Sequence, residues 1–258
     1  VRRHWIAKPG SSEKRPLGIP TVRDRVVETA LRNVMEPIFE RNFAEHSYGF
    51  RPRRGCKDAL RRVDYLLKAG NTWVVDADLR SYFDTIPKQK LMERVAEKVA
   101  DSRVLELVEA MLQQEVMDGL KHWTPAAGTP QGAVISPLLS NIYLDPLDWE
   151  IAGSGYEMVR YADDFIILCH SEAEASTALA KVQEWTAQAG LQLHPEKTRI
   201  VDDTERGGFD FLEYHFERGY RWPRRKSVAK LKATIRSKTR RTHGDSLRTI
   251  IATVNQNH

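Results

Sequence analysis

Apolar residues recur along this chain at two spacings, and each change of spacing marks an element. From Asp24 the positions Val26, Val27, Ala30, Leu31, Val34 and Ile38 follow helical spacing, which predicts a helix with Asp24 as its N-cap. Ala59, Leu60, Val63, Leu66 and Leu67 share one face of a second helix that ends at Gly70. The helical period returns over 88–100 and again over 104–116, where Val104, Leu107, Val108, Met111 and Leu112 form a stripe. Two further helices are predicted, one in the apolar run 133–147 after Pro137 and one over 172–189, closed by Gly190. Residues 73–79 read as a buried strand carrying Asp76 and Asp78. Short extended segments are expected at 5–8, 16–20, 191–194, 198–202 and 209–216, and a basic helix from 227 onward. Helices mixed with antiparallel hairpins, without regular βαβ alternation, predict an α+β fold.

The apolar runs 158–161 and 165–168 enclose Ala162, Asp163 and Asp164, the pattern of a tight hairpin whose turn presents adjacent carboxylates. Asp is common in turns, so the pair alone reads equally as a solvated turn. Charge changes that picture. Residues 1–62 carry 15 Lys/Arg against 7 Asp/Glu, residues 63–217 carry 13 against 27, and residues 218–241 carry 11 basic residues and no acid. An acidic centre between basic ends suits a polyanion binder that also collects cations. The two cysteines, Cys56 and Cys169, have no paired spacing, which favours a reducing, cytoplasmic setting and argues against a cysteine zinc site. The eight histidines lack ligand spacing. No run approaches the ~18 apolar residues of a membrane span, and the opening Val-Arg-Arg-His-Trp does not read as a signal peptide.

If the strand ending at Asp78 neighbours the hairpin, three carboxylates meet at one sheet edge. At ~4 Å and an effective dielectric of ~20, each like-charged pair costs roughly 4 kcal/mol, so such a cluster needs protons or cations. Hard oxygen ligands with open positions suit Mg²⁺, and two such ions would clamp an in-line attack on phosphate.

Tyr161-Ala162-Asp163-Asp164 resembles the Tyr-x-Asp-Asp box of reverse transcriptases, and further segments in order resemble the group II intron type. These are Arg-Pro-Leu-Gly-Ile-Pro-Thr-Val-Arg-Asp-Arg at 15–25, Ser-Tyr-Gly-Phe-Arg-Pro at 47–52 and Asp-Ala-Asp-Leu-Arg-Ser-Tyr-Phe-Asp at 76–84. Gly-Thr-Pro-Gln-Gly-Ala-Val-Ile-Ser-Pro at 128–137 and Leu-His-Pro-Glu-Lys at 193–197 complete the series. The resemblance implies a right-hand-like α+β polymerase fold with fingers and palm, an antiparallel palm sheet packed on helices, and a thumb largely absent. Fingers are expected over 1–72, palm over 73–222 with fingers elements inserted at 85–125, and the basic helical start of a thumb or maturase region over 223–258.

Residue by residue, the resemblance makes Asp78 and Asp163 the principal ligands of two Mg²⁺ ions, with Mn²⁺ as a substitute. The Leu79 carbonyl helps and Asp164 is auxiliary, while Asp76, on the same strand face as Asp78, is read as supporting. Phe83 fits the position that stacks under the incoming sugar, the alternative being a plain core residue. Gln131 would touch the nucleotide, Arg15 and Lys8 the triphosphate, and Lys197 the leaving pyrophosphate. Arg51 and Arg53 are assigned to nucleic acid, or else to a structural role in their loop. Arg224, Arg225, Lys226 and Lys230 would grip the template–primer backbone. Phe211, Leu212 and Tyr214 match the primer grip, although Glu213 stands where the family carries Gly.

The implied function is an RNA-directed DNA polymerase of a group II intron-type retroelement, with a splicing (maturase) role in the full-length protein. Its partners would be an intron RNA template, a DNA primer and dNTPs, with no membrane and with dimerisation open. The alternatives are a non-enzymatic intron-RNA-binding module, or a retron, diversity-generating or CRISPR-associated reverse transcriptase.

Overall fold

The computed structural model describes residues 1–7, 14–240, 244 and 246–255 of the chain. Its centre is a four-stranded antiparallel sheet of β3 (Trp73–Asp78), β6 (Glu157–Tyr161), β7 (Asp164–Cys169) and β8 (Arg199–Asp202), in the order β6-β7-β3-β8. Alternation along its two inner strands fills both faces. Val75, Ala77, Phe165, Ile167 and Cys169 enter a core shared with α1 (Val22–Glu40), α4 (Lys88–Ala96), α5 (Ser102–Leu112), α6 (Ser136–Gly153) and α7 (Glu172–Ala189). Val74, Ile166 and Leu168 enter a second core under α2 (Cys56–Lys68), β9 (Phe209–Phe211) and β10 (Tyr214–Glu217). There Phe209 and Phe216 stack with ring centroids 4.9 Å apart.

Two smaller sheets flank this centre. β1 (Arg2–Ala7) and β2 (Lys14–Ile19) form a hairpin extended by β4 (Val116–Asp118) and β5 (Lys121–Trp123), while β9 and β10 continue into β11 (Tyr220–Pro223). The short α3 (Tyr82–Thr85) follows β3, and the chain's last described helices are α8 (Arg225–Lys238) and α9 (Leu247–Asn255). Among the described residues no helix is long and apolar enough to cross a membrane.

Several expectations need correcting. The N-cap of α1 is Thr21; Asp24 is the third helical residue and closes a reciprocal capping box with it. The helix carries two apolar stripes, and the one formed by Val22, Val26 and Val34 faces out, at 69%, 65% and 62% exposure. Leu31, Met35 and Phe39 face the core beside Glu28. The 104–116 period ends at Leu112, and Val116 opens β4 instead. Residues 191–194 form no strand but a single bridge, Leu193 to Leu79. The 209–216 segment breaks into two strands at Leu212 and Glu213, both at positive φ.

Candidate active site at the palm sheet edge

The register of β3 against β7 sets Asp78 directly opposite Asp164, and the β6–β7 hairpin sets Tyr161 opposite Asp164. The turn is therefore Ala162-Asp163, one residue shorter than the sequence pattern suggests, and Asp164 is the first residue of the strand. Ala162 has φ +60° while Asp163 does not have positive φ, the φ pattern of a type II′ hairpin turn. A non-glycine residue there is strained by about 1 kcal/mol, so surrounding structure must hold it.

By alternation Asp76, Asp78 and Asp164 lie on the same sheet face as Val74, Ile166 and Leu168. The apolar end of that face is roofed by α2 and the third sheet; its polar end carries the acids. Two cations answer them. Lys197 Nζ stands 2.7 Å from Asp78 Oδ2, and Arg199 Nε stands 3.2 Å from Asp76 Oδ2 across the β3–β8 register. Loss of hydration raises Asp76 above the ordinary carboxylate range against the pull of Arg199. Asp164 is pushed up to about 7, first by loss of hydration and then by the charges of Asp76, Asp163 and Asp78. Its side chain is open to water, and Asp164 holds its proton more readily than a free Asp. Asp163 is half-buried in the turn.

The Leu79–Leu193 bridge is closed by its neighbours, with Arg80 N–H donating to Gln192 O and His194 N–H donating to Asp78 O. In such an antiparallel pair the Leu79 carbonyl points away from Leu193, towards the hairpin-turn side. Carboxylates and a carbonyl are hard oxygen donors, and their mutual crowding is what divalent cations relieve, so the donor chemistry fits Mg²⁺. Among the described residues, no three His, Cys, Asp or Glu side chains already form a metal-holding group.

A second group of predicted residues is assembled around the 128–132 loop. Thr129 N–H donates to Phe83 O at 2.7 Å and Gly128 N–H to Ile86 O at 2.8 Å. Gly128 has φ +90°, and a Cβ there would lie 2.6 Å from Phe83 O, so only glycine permits this approach. Gly18 N–H of β2 donates to Gln131 O at 2.6 Å, and buried Glu28 accepts from Val134 N–H at 2.5 Å. Phe83 and Gln131 thus line one cleft of about 180 Å³ together with Gly18, Arg3 and Asp84. Phe83 is half-buried, edge-on to Tyr82.

Other assignments fare differently. Arg51 does not reach nucleic acid: its side chain is 2% exposed and pairs with Glu40 at 2.9 Å. It also donates to the carbonyls of Ala44 and Ser47. Arg53 is exposed at φ +59°. Phe211 is buried in the second core and cannot touch a primer, whereas Leu212 and Tyr214 are half-buried beside it. A Leu212 backbone hydrogen bond tempers the rise at Asp164, which ties the β9–β10 turn to the acidic edge. Glu213 occupies its positive-φ position at +70° and engages Ser227 and Arg224 of the α8 region. Those contacts hold its carboxylate below the ordinary range, Ser227 first. Arg224 is spent on Glu213 and Asp210, while Arg225, Lys226 and Lys230 are exposed on α8. The side chain of Arg15 is not described, and Lys8 lies outside the described residues.

Sequence reading missed Arg160, fully buried beneath the turn, and its partners Asp148 and Asn141. The available signal was an arginine inside the apolar run Met-Val-Arg-Tyr, where a buried charge demands a partner.

An antiparallel sheet packed on helices, with Asp78 and Asp164 paired at its edge, has the architecture of a polymerase-type palm. Residues 6–216 match the family described as Reverse transcriptase (RNA-dependent DNA polymerase), and the chain belongs to that family. Among curated relatives, group II intron-encoded protein LtrA of Lactococcus lactis subsp. cremoris is 38% identical over 148 residues, covering 57% of this chain and 24% of LtrA. Protein YkfC of Escherichia coli (strain K12) is 33% identical over 257 residues, covering 84% of this chain and 67% of YkfC. An uncharacterized 91 kDa protein in the cob intron of Schizosaccharomyces pombe is 39% identical, covering 78% of this chain and 32% of that protein. The chain thus spans about a quarter of LtrA. In fold it is similar to telomerase from Candida tropicalis, with a TM-score of 0.68 at 13% identity over 99% of this chain and 52% of that one.

Proposed function

We propose that this chain carries the catalytic core of a group II intron-type RNA-directed DNA polymerase, joining dNTPs to a primer 3′-hydroxyl on an RNA template. The observation that carries the reading is the register of Asp78 opposite Asp164, with Asp163 in the turn between β6 and β7. Asp78, Asp163 and the Leu79 carbonyl would hold two Mg²⁺ ions, or Mn²⁺, with Asp164 auxiliary. Bound there, the ions would supply Lewis-acid activation of the primer hydroxyl and charge neutralisation at the leaving pyrophosphate.

The chain's own residues do the rest. Phe83 supports the incoming sugar and excludes a 2′-hydroxyl, and Gln131 orients the nucleotide from the same cleft. Lys197 moves from Asp78 to the leaving pyrophosphate as its proton donor. Arg15 and Lys8 meet the triphosphate. The exposed cations of α8 follow the template–primer backbone, while Leu212 and Tyr214 lie beside the primer end. In this reading fingers occupy 1–72, palm 73–222 and the basic start of a thumb 223–258. RNA binding and splicing assistance belong to the full-length protein.

Primer extension on matched RNA and DNA templates tests this. Mg²⁺-dependent dNTP incorporation on RNA is the expected result. RNA binding with no incorporation under any divalent cation would favour the binding-only reading and overturn this one.

A further inference from the structure

The catalytic turn is strained at Ala162, and the structure holds both peptide planes that flank it. The plane from Ala162 to Asp163 is gripped by Arg160, whose Nη1 donates to Ala162 O at 2.8 Å. A peptide unit is planar, so fixing that carbonyl fixes the direction of the Asp163 Cα. Arg160 is itself immobilised. Its Nε and Nη2 donate to the two oxygens of Asp148 at 2.7 and 2.5 Å, and Nη1 also donates to Asn141 Oδ1 at 2.9 Å. Arg160, Asp148 and Asn141 are all buried.

The preceding plane, from Tyr161 to Ala162, is backed by Gly49. A Cβ on Gly49 would lie 2.2 Å from Ala162 N and 2.8 Å from Tyr161 C, so the chain approaches as closely as a glycine allows. Asn141 closes the circuit. Its Oδ1 faces a guanidinium, which only donates, so Nδ2 donates to Gly49 O, at 2.8 Å. The same segment adds backbone bonds to Arg160, with Tyr48 N–H donating to Arg160 O at 2.8 Å and Arg160 N–H to His46 O at 3.0 Å.

We propose that Gly49, Asn141 and Arg160 are positioning residues that clamp the Ala162-Asp163 turn and thereby aim the Asp163 carboxylate. This rests on the polymerase reading of Asp163 and assigns a task to the Ser-Tyr-Gly-Phe-Arg-Pro segment other than binding nucleic acid. Arg51 belongs to the same device, because it anchors that segment to α1 through Glu40.

Gly49→Ala is the sharpest probe, since Gly49 does not have positive φ and the three atoms nearest the added methyl all belong to Tyr161 and Ala162. Asn141→Ala, a good helix former inside α6, breaks the tie to Gly49 without a clash and serves where Gly49→Ala fails to fold. The readouts are single-nucleotide extension with saturating primer–template, Mn²⁺ affinity by EPR, RNA affinity and thermal midpoint. Folded variants are expected to lose about 100-fold in kcat with little change in KM for dNTP. Mn²⁺ affinity should weaken about 10-fold, as when a ligand loses its outer support, with RNA affinity unchanged. A merely structural role would lower the midpoint and leave kcat and Mn²⁺ affinity of the folded protein intact. That result, alongside an inactive Asp163→Asn, overturns the clamp. An Asp163→Asn as active as the parent removes the polymerase reading and the clamp with it.

Discussion

Lys197 Nζ lies 2.7 Å from Asp78 Oδ2, so an ammonium group stands on the carboxylate assigned to metal. A divalent ion reaching Asp78 must displace it. Both side chains are more than a third exposed, which limits the pair to the energy of a surface ion pair. Lys197→Gln is therefore expected to bind Mn²⁺ more tightly, by up to about fivefold. If the same ammonium protonates the leaving pyrophosphate, the single-turnover rate falls by about 100-fold. Tighter metal with slower chemistry is the signature; weaker Mn²⁺ binding would contradict the exchange.

Asp164 supplies a pH dependence. Its native pKa of about 7 lies above the unfolded value of about 3.9. An acid raised in this way contributes stability that is full below about pH 4 and is lost as pH climbs through about 7. In metal-free buffer, Asp164→Asn should be more stable than the parent at pH 8, by about 1 kcal/mol after allowance for solvent screening. The difference should vanish towards pH 4. Asp145, pushed up to about 6 by burial, adds a background slope common to both proteins. Denaturant melts of the pair across this range are the measurement, and equal stabilities at pH 8 would refute the crowding.

Arg51 and the α8 cations should separate cleanly. Arg51→Gln leaves Glu40 without its partner and is expected to cost about 3 kcal/mol of stability, with the salt dependence of RNA binding unchanged. Replacing Arg225, Lys226 and Lys230 by Gln should leave stability nearly unaltered and flatten the salt slope by about 1 per residue. A salt slope that responds to Arg51 and not to α8 would reverse these assignments.

Phe83→Val should admit ribonucleotides. The 128–132 loop holds the Phe83 backbone, so shortening its ring changes the space under the sugar more than the loop. Incorporation of rNTP relative to dNTP is expected to rise about 10-fold or more, read by competing single-nucleotide incorporation. Unchanged discrimination would make Phe83 a packing residue.

The parts legible in the sequence were those written in local pattern. The β3 run, the β6–β7 hairpin and the α2 face each announce themselves through a single period. The α1 face did not, because two apolar stripes share one helix and only tertiary packing chooses between them. Hairpin β4–β5 and strand β11 are too short for periodicity to register. Among site residues, Asp78 and Asp164 meet through strand register, which alternation and motif order foreshadow. The spent state of Arg51 depends on Glu40 of another element, and no spacing rule reports that. Phe211 failed for the opposite reason: a motif position is apolar here because it is core. Arg160 was visible only as an anomaly, a charge in a buried strand.

In the proposed polymerase, Asp78 and Asp163 serve one catalytic edge. Single-turnover primer extension on an RNA template, comparing the parent with Asp78→Asn and Asp163→Asn at matched RNA occupancy, is the decisive measurement. Each variant is expected to bind RNA as the parent does and to lose at least about 10³ in rate, the several kcal/mol that metal-assisted charge stabilisation supplies. Extension by either variant at the parental rate would remove that carboxylate from the chemistry.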